Sequence, residues 1–142
     1  MIQIVKDADT RPWFFLQTAH TTYGMRVMET GHLEHLYYGE RITVDSQDPA
    51  SCAPLVIQRA FAPGNTCTYD REHPQISMED VCLEVGTLGK GDIREPFLEV
   101  RFADGSVTSD FTFDSYKIIT LKEREQCLQD SGLPHSYSEV ET

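Results

Sequence analysis

Basic residues are scarce in this chain. The sequence has 12 Lys and Arg against 23 Asp and Glu, a formal net charge of -11, with the acids spread along its length. A field of that sign repels phosphate backbones and anionic lipid. Nucleic-acid binding and membrane-surface binding are therefore disfavoured, and the excess acid reads as a solvated surface. Long apolar runs are absent, which leaves no candidate for a membrane-spanning helix. The start, Met1-Ile2-Gln3-Ile4-Val5-Lys6-Asp7, has no basic segment leading into an apolar one, so no secretory signal is expected. Cysteine is sparse as well. Cys52, Cys67, Cys82 and Cys127 form no Cys-x-x-Cys pair, and no histidine stands at zinc-finger spacing from them. A structural zinc site is not expected, and reduced thiols in the cytoplasm are. Cys82, between Val81 and Leu83, reads as a core or strand position.

What is present is alternation. At 142 residues and 39% apolar content the chain suits one domain with a modest core. Val107, Phe111 and Phe113 share one face of a period-two segment, with Thr108, Asp110, Thr112 and Asp114 on the other. Just upstream, Leu98, Val100 and Phe102 alternate with Glu99 and Arg101. The joining Asp104-Gly105 is a hairpin signal, so 97–102 and 107–115 are expected to pair antiparallel with Phe111 and Phe113 buried. Nearer the N-terminus, Trp13 to Thr18 is rich in aromatics. Tyr23, Met25 and Val27 alternate onto one face, Glu29-Thr30-Gly31 turns the chain, and Leu33, His35 and Tyr37 share a face opposite Glu34, Leu36 and Tyr38. Short strands with turn signals between them, and no convincing long helix, predict an all-β antiparallel β-sandwich. Residues 43–80 carry Pro49, Pro54, Pro63 and Pro74. They read either as a long functional loop or as short edge strands broken by proline. Residues 121–132 read as loop or short helix.

Few residues suggest chemistry. His32 and His35 have the spacing of a metal pair on a helix, but on a strand that spacing sends them to opposite faces, so no metal site is assigned. His35 reads instead as a core histidine, hydrogen-bonded between Leu33 and Tyr37. Gly89-Lys90-Gly91-Asp92-Ile93-Arg94 lacks the Gly-Lys-Ser/Thr ending of a phosphate loop and reads as a glycine-rich turn. Asp110 and Asp114 share a strand face. Four residues of strand rise put them about 13 Å apart, too far for a glycosidase pair. No Gly-x-Ser-x-Gly exists and no catalytic residue is assigned. No cofactor is expected. The aromatics Trp13, Tyr23, Tyr37, Tyr38, Tyr69, Tyr116 and Tyr137 read as core in preference to a sugar-stacking platform.

Four stretches together resemble one family. Gly31-His32-Leu33-Glu34-His35-Leu36-Tyr37-Tyr38-Gly39 is similar to the Gly-x-Leu-x-His-Leu-Tyr-Tyr-Gly found near the N-terminus of microbial α-galactosidases of glycoside hydrolase family 36. Gly89-Lys90-Gly91-Asp92-Ile93-Arg94-Glu95-Pro96 resembles that family's Gly-x-Gly-Asp-Phe-Arg-x-Pro. Asp104-Gly105-Ser106-Val107-Thr108-Ser109-Asp110-Phe111 resembles its Asn-Gly-Ser-x-x-Ser-Asp-Phe. Gly132-Leu133-Pro134, followed by Tyr137, resembles its Gly-Leu-Pro-x-x-Tyr. Each motif is short, but the four fall in the family's order and spacing.

The resemblance implies that residues 1–142 are a single and incomplete N-terminal β-sandwich, part of a β-supersandwich, with the catalytic (β/α)8 barrel absent from this chain. It implies an enzyme that hydrolyses terminal α-galactosides such as melibiose and raffinose-type sugars with retention, while this part alone is inactive. Its partners would be α-galactoside sugars and further copies in a homo-oligomer. In tetrameric relatives an N-terminal loop reaches a neighbour's active site, where an Asp before Arg-Ala-Phe contacts the sugar. This chain has Gln58-Arg59-Ala60-Phe61, with Gln in that place. A second contact, an Arg, aligns near Pro74, close to Arg71. Gln58, Arg59 and Arg71 are thus the candidate substrate-binding residues. A stand-alone carbohydrate-binding β-sandwich is the alternative from another functional class.

Overall fold

Period-two alternation is realised in four strands: β1 (Ile2–Lys6), β2 (Pro12–Gln17), β3 (Thr21–Val27) and β4 (Leu33–Glu40). A computed structural model describes residues 1–56, 68–78, 81–92 and 95–119. The strands form an antiparallel meander in the order β1-β2-β3-β4. Side chains close each turn. Asp7 Oδ1 accepts the amides of Asp9 and Arg11, and Thr18 Oγ1 accepts those of His20 and Thr21. Gly31, at φ +84°, turns β3 into β4 and donates its amide to Met28 O at 3.0 Å. The chain is all-β, as the alternation predicts.

One sheet face carries the core. Val5, Trp13, Phe15 and Leu36 pack with Val44 and Cys52, and Tyr37, Ile42, Leu55 and Val56 close the margin. The covering residues come from the chain after β4. Gln17 Nε2 donates to Ile42 O at 2.8 Å, and Gln3 Nε2 donates to Val44 O at 3.4 Å, which hold that segment down. A 3₁₀ helix, Pro49–Leu55, follows, with the Asp48 side chain accepting from Ala50 N and Pro at its first position. Burial pushes the Cys52 thiol up from its ordinary value, so this cysteine serves packing. Trp13 also lies under the Arg26 guanidinium at 5.2 Å, and Arg26 Nε pairs with the buried Glu34 carboxylate at 2.7 Å.

The β3–β4 pairing shifts register between Gly24 and Met25: Gly24 faces Tyr37 while Met25 faces His35. Leu36 is the extra residue of this bulge. The expectation that Leu33, His35 and Tyr37 share a face is thereby corrected. The bulge sends Tyr37 to the core side with Leu36 and leaves His35 on the opposite side beside Tyr23.

The hairpin expected over 97–102 and 107–115 is present only as its turn. Phe102 and Ser106 bond across Asp104-Gly105, with the Asp104 carboxylate accepting from Ser106 N and Oγ. No strand forms in either arm. The backbone of the second arm bonds elsewhere: Ser109 N to Leu88 O at 3.4 Å and Phe113 N to Gly31 O at 2.7 Å. Alternation sets a strand-like conformation but not the partner. Phe113 packs on Phe14 at 5.9 Å, as does Tyr116 at 5.1 Å, whereas Phe111 is 46% exposed. A short parallel pair, β5 (Thr87–Leu88) with β6 (Gly91–Asp92), completes the elements among the described residues. None of the helices there is long and apolar enough to cross a membrane.

Phe15 is fully buried, and a Cβ built on Gly24 would lie 3.1 Å from its Cε1 and 3.2 Å from its Cδ1. The ring has no free side to move into. Gly24→Ala is expected to destabilise the fold by about 1–3 kcal/mol, read as a lowered urea midpoint with unchanged slope. An unmoved midpoint would mean that the ring yields.

Candidate functional site

Of the three candidate substrate-binding residues, Gln58 and Arg59 lie outside the described residues. Arg71 is described. It stands exposed at the tip of a hairpin-like loop closed by the Thr68–Ser77 bridge and by the Tyr69 amide bonding Ile76 O at 2.8 Å. Asp70 organises the tip, with its Oδ1 accepting from the amides of Glu72 and His73 at 2.8 and 2.7 Å and bonding the His73 ring at 2.9 Å. Arg71 itself makes no ion pair or hydrogen bond among the described residues. The described parts of the 43–80 stretch are thus neither structureless nor edge strands. They hold a 3₁₀ helix and a hairpin with its own internal bonds.

The structure joins this hairpin to residues that sequence reasoning assigned elsewhere. Tyr69 donates its hydroxyl to Asp110 Oδ2 at 2.9 Å. The other carboxylate oxygen, Oδ1, lies 2.7 Å from His32 Nε2, and His32 Nδ1 lies 2.9 Å from Thr30 Oγ1. A carboxylate only accepts, so Nε2 carries a proton and donates to Asp110, while Nδ1 shares a hydrogen bond with the Thr30 hydroxyl. His32 is 2% exposed and its ring meets the Tyr69 ring edge-on at 5.1 Å. Lys90 Nζ stands 4.5 Å from the Tyr69 ring centre and donates to Tyr69 O at 3.3 Å. Asp110, on a strand face with Asp114 by its alternation, remains exposed yet bridges a buried imidazole and a phenol, because its segment bonds to the β3–β4 turn and not to a hairpin partner. Asp114 engages only Ser115 Oγ among the described residues.

A second junction lies on the sheet face opposite the core. Glu84 Oε2 accepts from Tyr23 Oη, and Oε1 lies 3.1 Å from His35 Nδ1. His35 is half-buried and paired with a carboxylate, not enclosed in the core between Leu33 and Tyr37. Cys82 was expected in a core or strand. It is exposed, but its carbonyl accepts the His35 amide at 2.7 Å and Glu84 N donates to Leu33 O, so residues 82–84 line the outer edge of β4. His32 and His35 therefore each have a separate carboxylate. Among the described residues no group of three or more His, Cys, Asp or Glu is placed to hold a metal ion.

The recurring motifs converge on these contacts. Gly31 has Thr112 Cβ only 3.2 Å from where its own Cβ would stand, and Gly89, at φ +85°, has Thr108 Cγ2 at 3.0 Å from the same position. Thr87 Oγ1 donates to Ser109 O at 2.6 Å. The stretches 31–39, 89–96 and 104–111 are thus fastened to one another, while 132–137 lies outside the described residues. The signal that could have found Asp110 was its place in the third motif, beside Ser109.

Fold and junctions together define an all-β domain whose polar side chains hold loops in place. Comparison with known proteins carries the assignment further. Residues 31–142 match the glycosyl hydrolase family 36 N-terminal domain. The chain is 35% identical over 122 residues to the bifunctional α-galactosidase/sucrose kinase AgaSK of Mediterraneibacter gnavus, covering 85% of this chain and 12% of that protein. It is 30% identical over 128 residues to α-galactosidase AgaA of Geobacillus stearothermophilus, covering 90% of this chain and 16% of that protein. The crystal structure of an α-galactosidase from Lactobacillus brevis superposes with a TM-score of 0.64 at 33% identity, covering 80% of this chain and 14% of that one. This chain belongs to the N-terminal domain family of glycosyl hydrolase family 36. It spans between 12% and 16% of the length of these curated relatives.

Burial and the facing carboxylates push two phenols up to about 12, Tyr69 beside Asp110 and Tyr23 beside Glu84. Both hold their protons more tightly folded than unfolded. Their contribution is complete below the ordinary phenol value of 10.0 and is lost as pH rises through about 12. Urea midpoints are expected to fall across that window, and to fall less in Tyr69→Phe than in the unsubstituted chain. An equal fall in both would contradict the assignment.

Proposed function

We propose that this chain is the N-terminal, non-catalytic part of an α-galactosidase that hydrolyses terminal α-D-galactosides, such as melibiose and raffinose-type sugars, with retention. In this reading the domain acts within a cytoplasmic homo-oligomer and lends the 43–80 loop to the rim of an active site. The observation that carries the reading is the family match over residues 31–142, with α-galactosidases among the relatives. The use of the carboxylates supports a non-catalytic role. Glu34 is tied to Arg26, Glu84 to Tyr23 and His35, Asp110 to His32 and Tyr69, and Asp7 to Arg11. A retaining glycosidase needs two carboxyl groups about 5–5.5 Å apart and open to the sugar, one as nucleophile and one as acid/base. Carboxylates spent on internal partners do not serve that role.

The purified 142-residue chain is expected not to release p-nitrophenol from a p-nitrophenyl α-galactoside. Turnover that disappears on replacing Asp92, Asp110 or Asp114 would refute the non-catalytic assignment.

The loop is tested in a full-length α-galactosidase carrying this domain. Gln58, Arg59 and Arg71 would donate hydrogen bonds to sugar hydroxyls, and Arg71 is solvent-facing with its guanidinium uncommitted among the described residues. Loss of one such bond is worth about 0.5–1.5 kcal/mol, so each alanine variant should lower kcat/KM on melibiose or raffinose by roughly 2- to 13-fold. If none of the three changes kcat/KM, the loop is structural only.

A further inference from the structure

The hairpin that presents Arg71 is closed by the Thr68–Ser77 bridge and the Tyr69 amide bonding Ile76 O at 2.8 Å. Among the described residues its outward hydrogen bonds and ring contacts run largely through Tyr69: the hydroxyl to Asp110, the carbonyl and ring face to Lys90, and the ring edge to His32, while its far arm ends in buried Ser77 beside Met78. Among the described residues one further hydrogen bond, Gln75 Nε2 to Glu29 Oε1 at 2.8 Å, ties the hairpin outward and, like the Tyr69–Asp110 bond, it is exposed, but Glu29 has no buried partner behind it as Asp110 has in His32. Behind Tyr69 the chain of bonds becomes progressively more fixed. Asp110 is oriented because each of its oxygens has a different partner. His32 is oriented because both ring nitrogens are engaged and the ring is buried at the β3–β4 turn. A buried imidazole with one partner removed would leave an unsatisfied polar group, which holds this arrangement to a single state.

We propose that His32, Asp110 and Tyr69 form a latch that fixes the 68–77 hairpin on the end of the sheet and so sets where Arg71 stands. Asp110 and Tyr69 are then positioning residues for the sugar-contacting loop, an inference whose functional half rests on the reading of Arg71 given above. The latch is local. Tyr69 is not part of the apolar cluster of Val5, Trp13, Phe15, Leu36, Val44 and Cys52, so releasing it opens the hairpin and leaves the sheet intact. Local opening of this kind is a distinct event from global unfolding and is read separately by amide exchange.

The test uses the 142-residue chain and amide hydrogen exchange. In Tyr69→Phe, which keeps the ring and removes only the hydroxyl, the Tyr69 and Ile76 amides are expected to exchange roughly tenfold faster, while those of β2 and β3 keep their rates. Asp110→Ala, which also removes the His32 bond, should accelerate the hairpin amides at least as much, and the double variant no more than Asp110→Ala alone, because the Tyr69–Asp110 bond is already gone there. Parallel acceleration in hairpin and sheet would overturn the proposal, since the residues would then support global stability only. Unchanged hairpin exchange, or multiplicative effects in the double variant, would overturn it as well. In the full-length enzyme, Tyr69→Phe should raise KM for melibiose by a factor of roughly 2 to 13 with kcat unchanged. Faster hairpin exchange with an unmoved KM would leave the latch standing and remove Arg71 from the sugar site. The two ideas can therefore fail independently.

Discussion

The Phe15 ring lies over Gly24, and the arrangement of the sheet follows from that contact. Phe15 is the largest fully buried side chain of the core. Its cross-strand neighbour has to be glycine, because a Cβ there would press on the ring edge. A glycine in mid-strand weakens local pairing, and the bulge between β3 and β4 falls at the same place, between Gly24 and Met25. The bulge brings both Leu36 and Tyr37 to the core side. Accommodating one aromatic ring thus fixes a glycine, a bulge and the facing of β4, and through β4 the position of His35 at the second junction.

Scarcity of basic residues shapes the polar side of the structure. With 12 Lys and Arg for 23 Asp and Glu, not every carboxylate can have a cation of its own. Arg26 serves Glu34, and Arg11 serves Asp7 and Asp9. Other carboxylates among the described residues rely on imidazole, phenol and backbone amides: Asp110 on His32 and Tyr69, Glu84 on His35 and Tyr23, Asp70 on the turn amides and ring of His73. Two such junctions pin loops to opposite parts of the sheet. The motif residues that mark the family are largely those that make these attachments possible, either as partners or as glycines where two segments touch.

Local periodicity reveals what local forces decide. Strands β2 to β4 and the turns at Gly31 and Asp104-Gly105 follow from alternation and turn chemistry, and they were legible, whereas β1 (Ile2–Lys6) drew no strand reading. What depends on a distant partner was not. The alternation of 107–115 is real, but Ser109 and Phe113 take their backbone partners from Leu88 and Gly31, more than a turn away in sequence. The face of Tyr37 could not be read because a bulge reverses parity without leaving a mark in a single strand. The bridging role of Asp110 was hidden because its partners, His32 and Tyr69, lie far off along the chain. Of the candidate loop residues Arg71 alone is among the described ones, and nothing in its local sequence announced the tie through Tyr69.

The Arg26–Glu34 pair has a further meaning for how the chain selects its structure. The two residues face each other across β3 and β4, with Glu34 buried and Arg26 covering Trp13. Sliding either strand by one residue would turn one of the charges to the other face and strand its counterpart in the interior, a cost of several kcal/mol by typical values for a broken buried pair. Hydrophobic residues on both faces of β2 would accept either parity, so the ion pair adds to the Phe15–Gly24 contact in selecting the register. Its worth lies less in added stability than in making the misaligned sheets unavailable, so that a small and acidic domain arrives at a single arrangement of its strands.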